Sequence, residues 1–185
     1  ATAPTVMELA PADVDVAMCG TAPAAGAAPS LGAAYGDVRA TLDRILSPSG
    51  GVADERHVPS FEAVFANEGR AGVRLTLLLV LQRSSDAVKA RCIAGRTLKY
   101  IESWVGDALQ AVQAVRPGAV APGARDGSQL LRASLACLGS LPMDLGTLRR
   151  TGIGRVVGNL RKQPDADIAE QAKALVENWR QLAAP

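Results

Sequence analysis

Near the end of the chain, Ile168, Ala172, Leu175, Val176, Trp179 and Leu182 follow one another at steps of four, three, one, three and three residues. A helix turning about 100° per residue brings such a series onto one side, so this segment is expected to be an amphipathic helix with its stripe in a core. The same rhythm returns wherever the chain is apolar. Val38, Leu42, Ile45 and Leu46 mark a helix over 35–46 that Pro48 and Gly50 stop. Ser60 is placed to cap a short helix carrying Phe61, Val64 and Phe65, with Gly69 at its C-terminal end. Val88, Cys92, Ile93, Ile101, Val105, Leu109 and Val112 give a long helix opened by Ser85 and Asp86, which Gly95 bends or splits. Ser128 opens another through Leu130, Leu131, Leu135 and Leu138, closed by Pro142. Asp144 caps a short one through Leu148, and Ile153, Val156, Val157 and Leu160 resume the pattern after Thr151 and Gly152. Val73 to Leu81 is apolar on every side, which suits either a central helix covered by its neighbours or a buried strand.

Aromatic residues supply 3% of the chain against 48% apolar residues in all, so the interior has to be built from Leu, Val, Ile and Ala, the palette of packed helices. The fold class expected is all-α. At 185 residues there is room for one core, or one core with a tail. Residues 1–34, dense in Ala, Pro and Gly, are expected to form an irregular arm whose apolar cluster runs from Val6 to Met18. Residues 35–116 are expected to add N-terminal helices to a bundle, 117–127 to be a Pro, Gly and Ala linker, and 128–185 to form the bundle's core.

A net charge of +2 conceals an uneven distribution. Residues 1–68 hold three Arg against nine carboxylates (−6), 69–146 hold ten cations against five acids (+5), and 147–185 hold seven against four (+3). The basic end suits an acidic partner, and Val6 to Met18 suits it as an intramolecular ligand mimic. Cys19, Cys92 and Cys137 are odd in number, widely spaced and without a CxxC pair, so a disulfide framework or a zinc site is not expected. No basic residue precedes Arg39, so a secretory or transit leader is not expected in this sequence. The longest apolar run contains Arg74 near its start and is far short of the roughly 20 residues that span a bilayer, so no membrane partner is expected.

Two strings, LRRTGIGRVVGNLRK (Leu148 to Lys162) and AKALVENWRQL (Ala172 to Leu182), together resemble the TFIIS N-terminal domain, or LW domain, the module of TFIIS, Elongin A, a Mediator subunit, PNUTS and LEDGF. The helix from Ser128 to Leu141 with LPMDL fits the helix that precedes this pair, and LKYIESWV (Leu98 to Val105) matches an earlier helix weakly. The resemblance implies a compact right-handed helical bundle, a nuclear location, no catalysis and no cofactor. It also implies binding of short acidic and apolar motifs in disordered segments of transcription elongation or chromatin factors. Such motifs are expected by the last interhelical loop, here Arg161, Lys162, Gln163, Pro164 and Asp165, with Arg155, Asn159 and Arg180 on adjoining faces. Leu148, Ile153, Val157, Leu160, Leu175, Val176 and Trp179 are expected to interlock the terminal helices, with Gly152 and Gly154 relieving steric limits at the turn between helical segments.

Other chemistry finds little support. Gly152, Gly154 and Gly158 in TGIGRVVG mimic a dinucleotide fingerprint, but a Rossmann turn requires a buried strand before it and GTLRR is not one. His57 is the sole histidine and lies in a polar stretch, which leaves a catalytic triad or metal centre without partners. Asp165, Asp167 and Glu170 open the last helix, where carboxylates favour its positive end. The competing expectation is nucleic-acid binding by the basic stretch Arg149 to Lys162, which has no aromatic residue to stack on bases.

Overall fold

A computed structural model of the protein describes residues 31–114 and 122–182, with side chains from Asp37 and from Gly123 onward in the two stretches. The arm from Val6 to Met18, Cys19 and positions 115–121 of the linker lie outside the described residues. The described chain is an all-α bundle: α1 (Leu31–Ile45), α2 (Val58–Asn67), α3 (Ala71–Arg83), α4 (Asp86–Ala94), α5 (Thr97–Gln113), α6 (Pro122–Ser140), α7 (Leu145–Arg150), α8 (Ile153–Leu160) and α9 (Ala166–Gln181). Helix α6 is the central one, packing on α3, α5 and α9, while α8 packs on α5 and α9. One continuous hydrophobic core runs from Leu42 on α1 to Trp179 on α9.

The stripe residues are buried as their spacing requires. Ile153, Val157 and Leu160 are fully covered, Leu175 and Trp179 nearly so, while Leu148 and Val176 pack against the core from partly buried positions. The Trp179 indole, 8% exposed, belongs to the core. Ser85, Asp144 and Asp165 cap their helices as their positions suggest, accepting from the backbone N–H groups of Val88, Thr147 and Ile168 respectively. Val73 to Leu81 is helical, but it is not covered all round, because Leu79 points outward and is 49% exposed.

Several boundaries differ from the pattern, each for a local reason. Helix α1 begins at Leu31, inside the segment assigned to the arm. Helix α2 starts two residues before Ser60, with Pro59 in its first turn, where a missing N–H costs nothing. A 3₁₀ turn, Glu55–His57, leads into it, capped by Asp54, and His57 is half-buried at the α2 N-cap rather than free in a loop. Helix α6 begins at Pro122, six residues ahead of Ser128, so part of the Gly-rich stretch is helical. Gly127 is buried there, and a Cβ would come within 3.0 Å of the Ala108 carbonyl and 3.1 Å of Val112 Cγ2. It marks a close approach of α5 and α6 rather than a break.

The split between α4 and α5 is held from outside. Glu62 on α2 reaches the start of α5, where its Oε1 accepts from the N–H groups of Arg96 and Thr97 and from Thr97 Oγ1 at 2.8, 3.2 and 2.9 Å. Gly95 leaves the space that this carboxylate fills. Three groups at the start of α5 thus find their acceptor on another helix. The loop between α1 and α2 is pinned by similar means: Gly50 has a φ of 81°, and Gly51 lies against the Arg83 carbonyl, while Val52 donates to Ser84 Oγ at 2.9 Å.

Candidate functional site

The hairpin tip between α8 and α9 is a tight turn built by backbone bonds. Lys162 N–H donates to the Asn159 carbonyl at 3.2 Å and Gln163 N–H to the Leu160 carbonyl at 3.1 Å, after which Pro164 ends the turn. Asp165 then caps α9 and also accepts from the Arg132 guanidinium of α6 at 2.7 Å, with Asp167 at 3.3 Å from the same group. Arg132 therefore braces the tip against the central helix. Nothing in the local sequence marks it for this part, because its partners lie more than thirty positions away.

The expected binding residues are only partly brought together. Arg155 and Asn159 stand one turn apart on an exposed face of α8, which runs into exposed Arg161 and Lys162 and half-buried Gln163. Arg180 does not join them. It sits one residue from the end of α9, about 21 Å along the axis from the tip, and pairs with Glu177 at 3.6 Å. The glycines also separate: a Cβ at Gly152 would run into the Glu102 carboxylate, whereas one at Gly154 or Gly158 would meet nothing within 4 Å. Of the three, Gly152 alone has a neighbour at its Cα, the end of the flexible Glu102 side chain. TGIGRVVG follows the helix α7, not a strand, which removes its likeness to a nucleotide turn.

Charge distinguishes this face. Arg149, Arg150, Arg155, Arg161 and Lys162 are all exposed, and none is in a salt bridge among the described residues. Five cations on two short helices and one turn outnumber the carboxylates near them, Asp144 and Glu102 beside Arg150, and leave a net positive surface that attracts acidic ligands. Cys92 and Cys137 are buried, and burial pushes their thiols up to about 11 and about 12, far from the thiolate that nucleophilic chemistry requires. Among the described residues no group of His, Cys, Asp and Glu is placed to hold a metal ion, and no helix is long and apolar enough to cross a membrane.

Two clefts of mixed apolar and polar lining lie away from the tip. One of about 410 Å³ opens where α6 and α9 end, over Leu141, Met143, Trp179 and the half-exposed Leu182. Another, of about 380 Å³, occupies the corner where the α4–α5 junction meets the α7–α8 junction, with Lys99, Glu102 and Arg150 around it. Sequence spacing gives no hint of this corner, since its two sides are some fifty residues apart.

No curated protein matches the chain. A family model does match part of it, from residue 133 within α6, through α7 and α8, to residue 183 just past α9. Over residues 133–183, then, the chain is similar to the TFIIS helical bundle-like domain of the Med26 family, a transcription-related helical module.

Proposed function

We propose that the protein is a non-catalytic, nuclear protein-interaction module serving transcription elongation or associated chromatin or phosphatase complexes. Its ligands are short acidic and apolar motifs in disordered segments of partner proteins. The observation that carries this reading is the set of five exposed cations on α7, α8 and the α8–α9 turn that enter no salt bridge among the described residues, within the part similar to the TFIIS helical bundle-like domain. Such a surface speeds encounter with acidic chains and selects against basic ones, while apolar contacts supply most of the hold. A disordered ligand has to be ordered on binding, so affinity is expected at roughly micromolar level.

The test is a titration of isotope-labelled protein with acidic peptides containing Phe or Leu. Amide shifts are expected from Arg155 to Asp165, and Lys162→Glu should weaken binding; the absence of saturable binding would sink the reading. The same cations also suit phosphate, so duplex DNA and single-stranded RNA belong in the comparison. Retention that falls steeply with salt, without any peptide binding, would favour the nucleic-acid alternative. The chain holds a candidate competitor of its own in Val6 to Met18, with Glu8, Asp13 and Asp15 among apolar residues. Removing residues 1–30 should then raise peptide affinity.

A further inference from the structure

The tip offers charge, but an acidic and apolar ligand also needs somewhere to bury its apolar part. We infer that the anchor side chain of such a ligand enters the corner cleft between the α4–α5 and α7–α8 junctions, an inference that rests on the peptide-binding reading above. Ile93 and Leu98 supply the apolar floor, and Lys99 and Arg150 stand exposed on opposite walls. Neither cation is in a salt bridge among the described residues, although one N–H of Arg150 donates to Thr147 Oγ1 at 3.2 Å. The cleft, at about 380 Å³, falls within the range of about 300–1,000 Å³ typical of pockets that enclose a ligand.

Charge selects the occupant. Two cations and one anion, Glu102, line the cleft; the Glu102 carboxylate packs against Gly152 at the start of α8, where the positive end of the helix opposes it, and the field of Arg150 also reaches Asp144 at the start of α7. The balance favours a segment with one apolar anchor and carboxylates on either side, over a basic or neutral one. The cleft opens at the end of α8 opposite the tip. Helix α8, eight residues long, spans about 12 Å, so four or five extended residues connect an anchor there with acids held by Arg161 and Lys162.

The cleft is also a property of the whole chain. Ile93, Leu98, Lys99 and Glu102 come from helices outside residues 133–183, whereas Arg150 and Gly152 lie within them. A site at this seam gives the helices before the matched segment a part in recognition, beyond completing the core.

The experiment uses the full chain and two synthetic fluorescent peptides of equal charge, one with a single Leu or Phe amid Asp and Glu, the other with that residue replaced by Ser. Ala94→Trp, at an exposed position lining the cleft, should block it and weaken the anchored peptide by about tenfold or more while leaving the anchorless one unchanged. Lys99→Glu combined with Arg150→Glu should weaken the anchored peptide about tenfold, and Glu102→Gln should tighten it about twofold. Lys162→Glu should lower both peptides alike. Methyl shifts of Ile93 and Leu98 in the unaltered protein provide a readout independent of any variant.

If Ala94→Trp binds like the unaltered protein and those methyls stay still while Lys162→Glu loses the ligand, the anchor is elsewhere. The inference then falls and the peptide-binding reading stands. Equal affinity for the two peptides, or a cleft variant that loses duplex DNA rather than peptide, also overturns it. No saturable binding of either peptide removes the underlying reading itself.

Discussion

Around α2 and α3 charged side chains hold helices together, whereas the cations of α7 and α8 enter no salt bridge among the described residues. Glu62 caps α5, Glu68 is gripped by Arg70 at 2.5 Å, and Arg74 binds Asp107 at 3.2 Å while lying over the Trp104 ring at 5.1 Å. Beneath that guanidinium Trp104 stacks on Phe65, ring centroids 4.6 Å apart, and Phe61 meets Phe65 edge-on at 5.0 Å. The hairpin of α8 and α9 has one aromatic anchor, Trp179, and otherwise a core of aliphatic residues. Of its cations Arg180 pairs with Glu177 within α9, whereas those of α8 and the tip enter no salt bridge among the described residues. One region uses charge to fix structure, and the other keeps it available for a ligand.

The largest effect expected from this contrast is at the stack. Phe65→Ala removes a ring that is 1% exposed and touches both Phe61 and Trp104, and should cost about 3–5 kcal/mol in urea unfolding. A loss below 1 kcal/mol would mean that the rings do not hold α2 to α5. Next comes the shared cap: Glu62→Ala strips three donors of their acceptor and should cost about 1–2 kcal/mol, while Glu62→Gln, which keeps a carbonyl oxygen, should recover part of that. If Gln is as damaging as Ala, the carboxylate charge matters more than the bonds.

Glu68 adds a pH dependence to the same region. Its bond to the Arg70 side chain, assisted by the Arg70 backbone N–H, holds the carboxyl below its ordinary value of 4.5 despite burial. A carboxyl whose folded value is lowered stabilises the fold above the ordinary value and loses that contribution as pH falls through the folded one. The stability gap between the unaltered protein and Glu68→Gln should therefore be full near neutrality and shrink below about pH 4.5. A gap that is flat from pH 7 to pH 3 would show that the ion pair adds nothing.

The stripes of the helices are legible in the sequence because they depend on neighbours within two turns, as in Ile153, Val157 and Leu160 or in Ile168, Ala172, Leu175 and Trp179. Caps are legible when a helix provides its own, as Ser85, Asp144 and Asp165 do. They are hidden when supplied from afar: Glu62 serves Thr97 across thirty-five positions, and Arg132 reaches Asp165 across thirty-three. Gly127 reads as a breaker because sequence cannot show that Ala108 and Val112 lie against it. The basic composition of the tip was visible beforehand, yet the distance of Arg180 from it was not, since that depends on how far α9 extends from its cap. The corner cleft was hidden for the same reason as the distant caps, being assembled from two junctions far apart in the chain.

The smallest expected effect tests the other side of the contrast. Arg161→Ala with Lys162→Ala removes two exposed cations that have no salt-bridge partner among the described residues, so unfolding free energy should change by no more than about 0.5 kcal/mol. Because Arg155, less than two turns back on α8, is also positive, any shift at low salt should be toward greater stability, and added salt should erase it. Arg132→Ala, on α6, is the matched control for the same hairpin: it frees Asp165 and Asp167 from the central helix and should cost up to about 1 kcal/mol, as a partly exposed pair does. If the double variant instead loses more than the control, the tip cations are holding the hairpin in place, and the distinction between structural and available charge breaks down where the functional reading needs it.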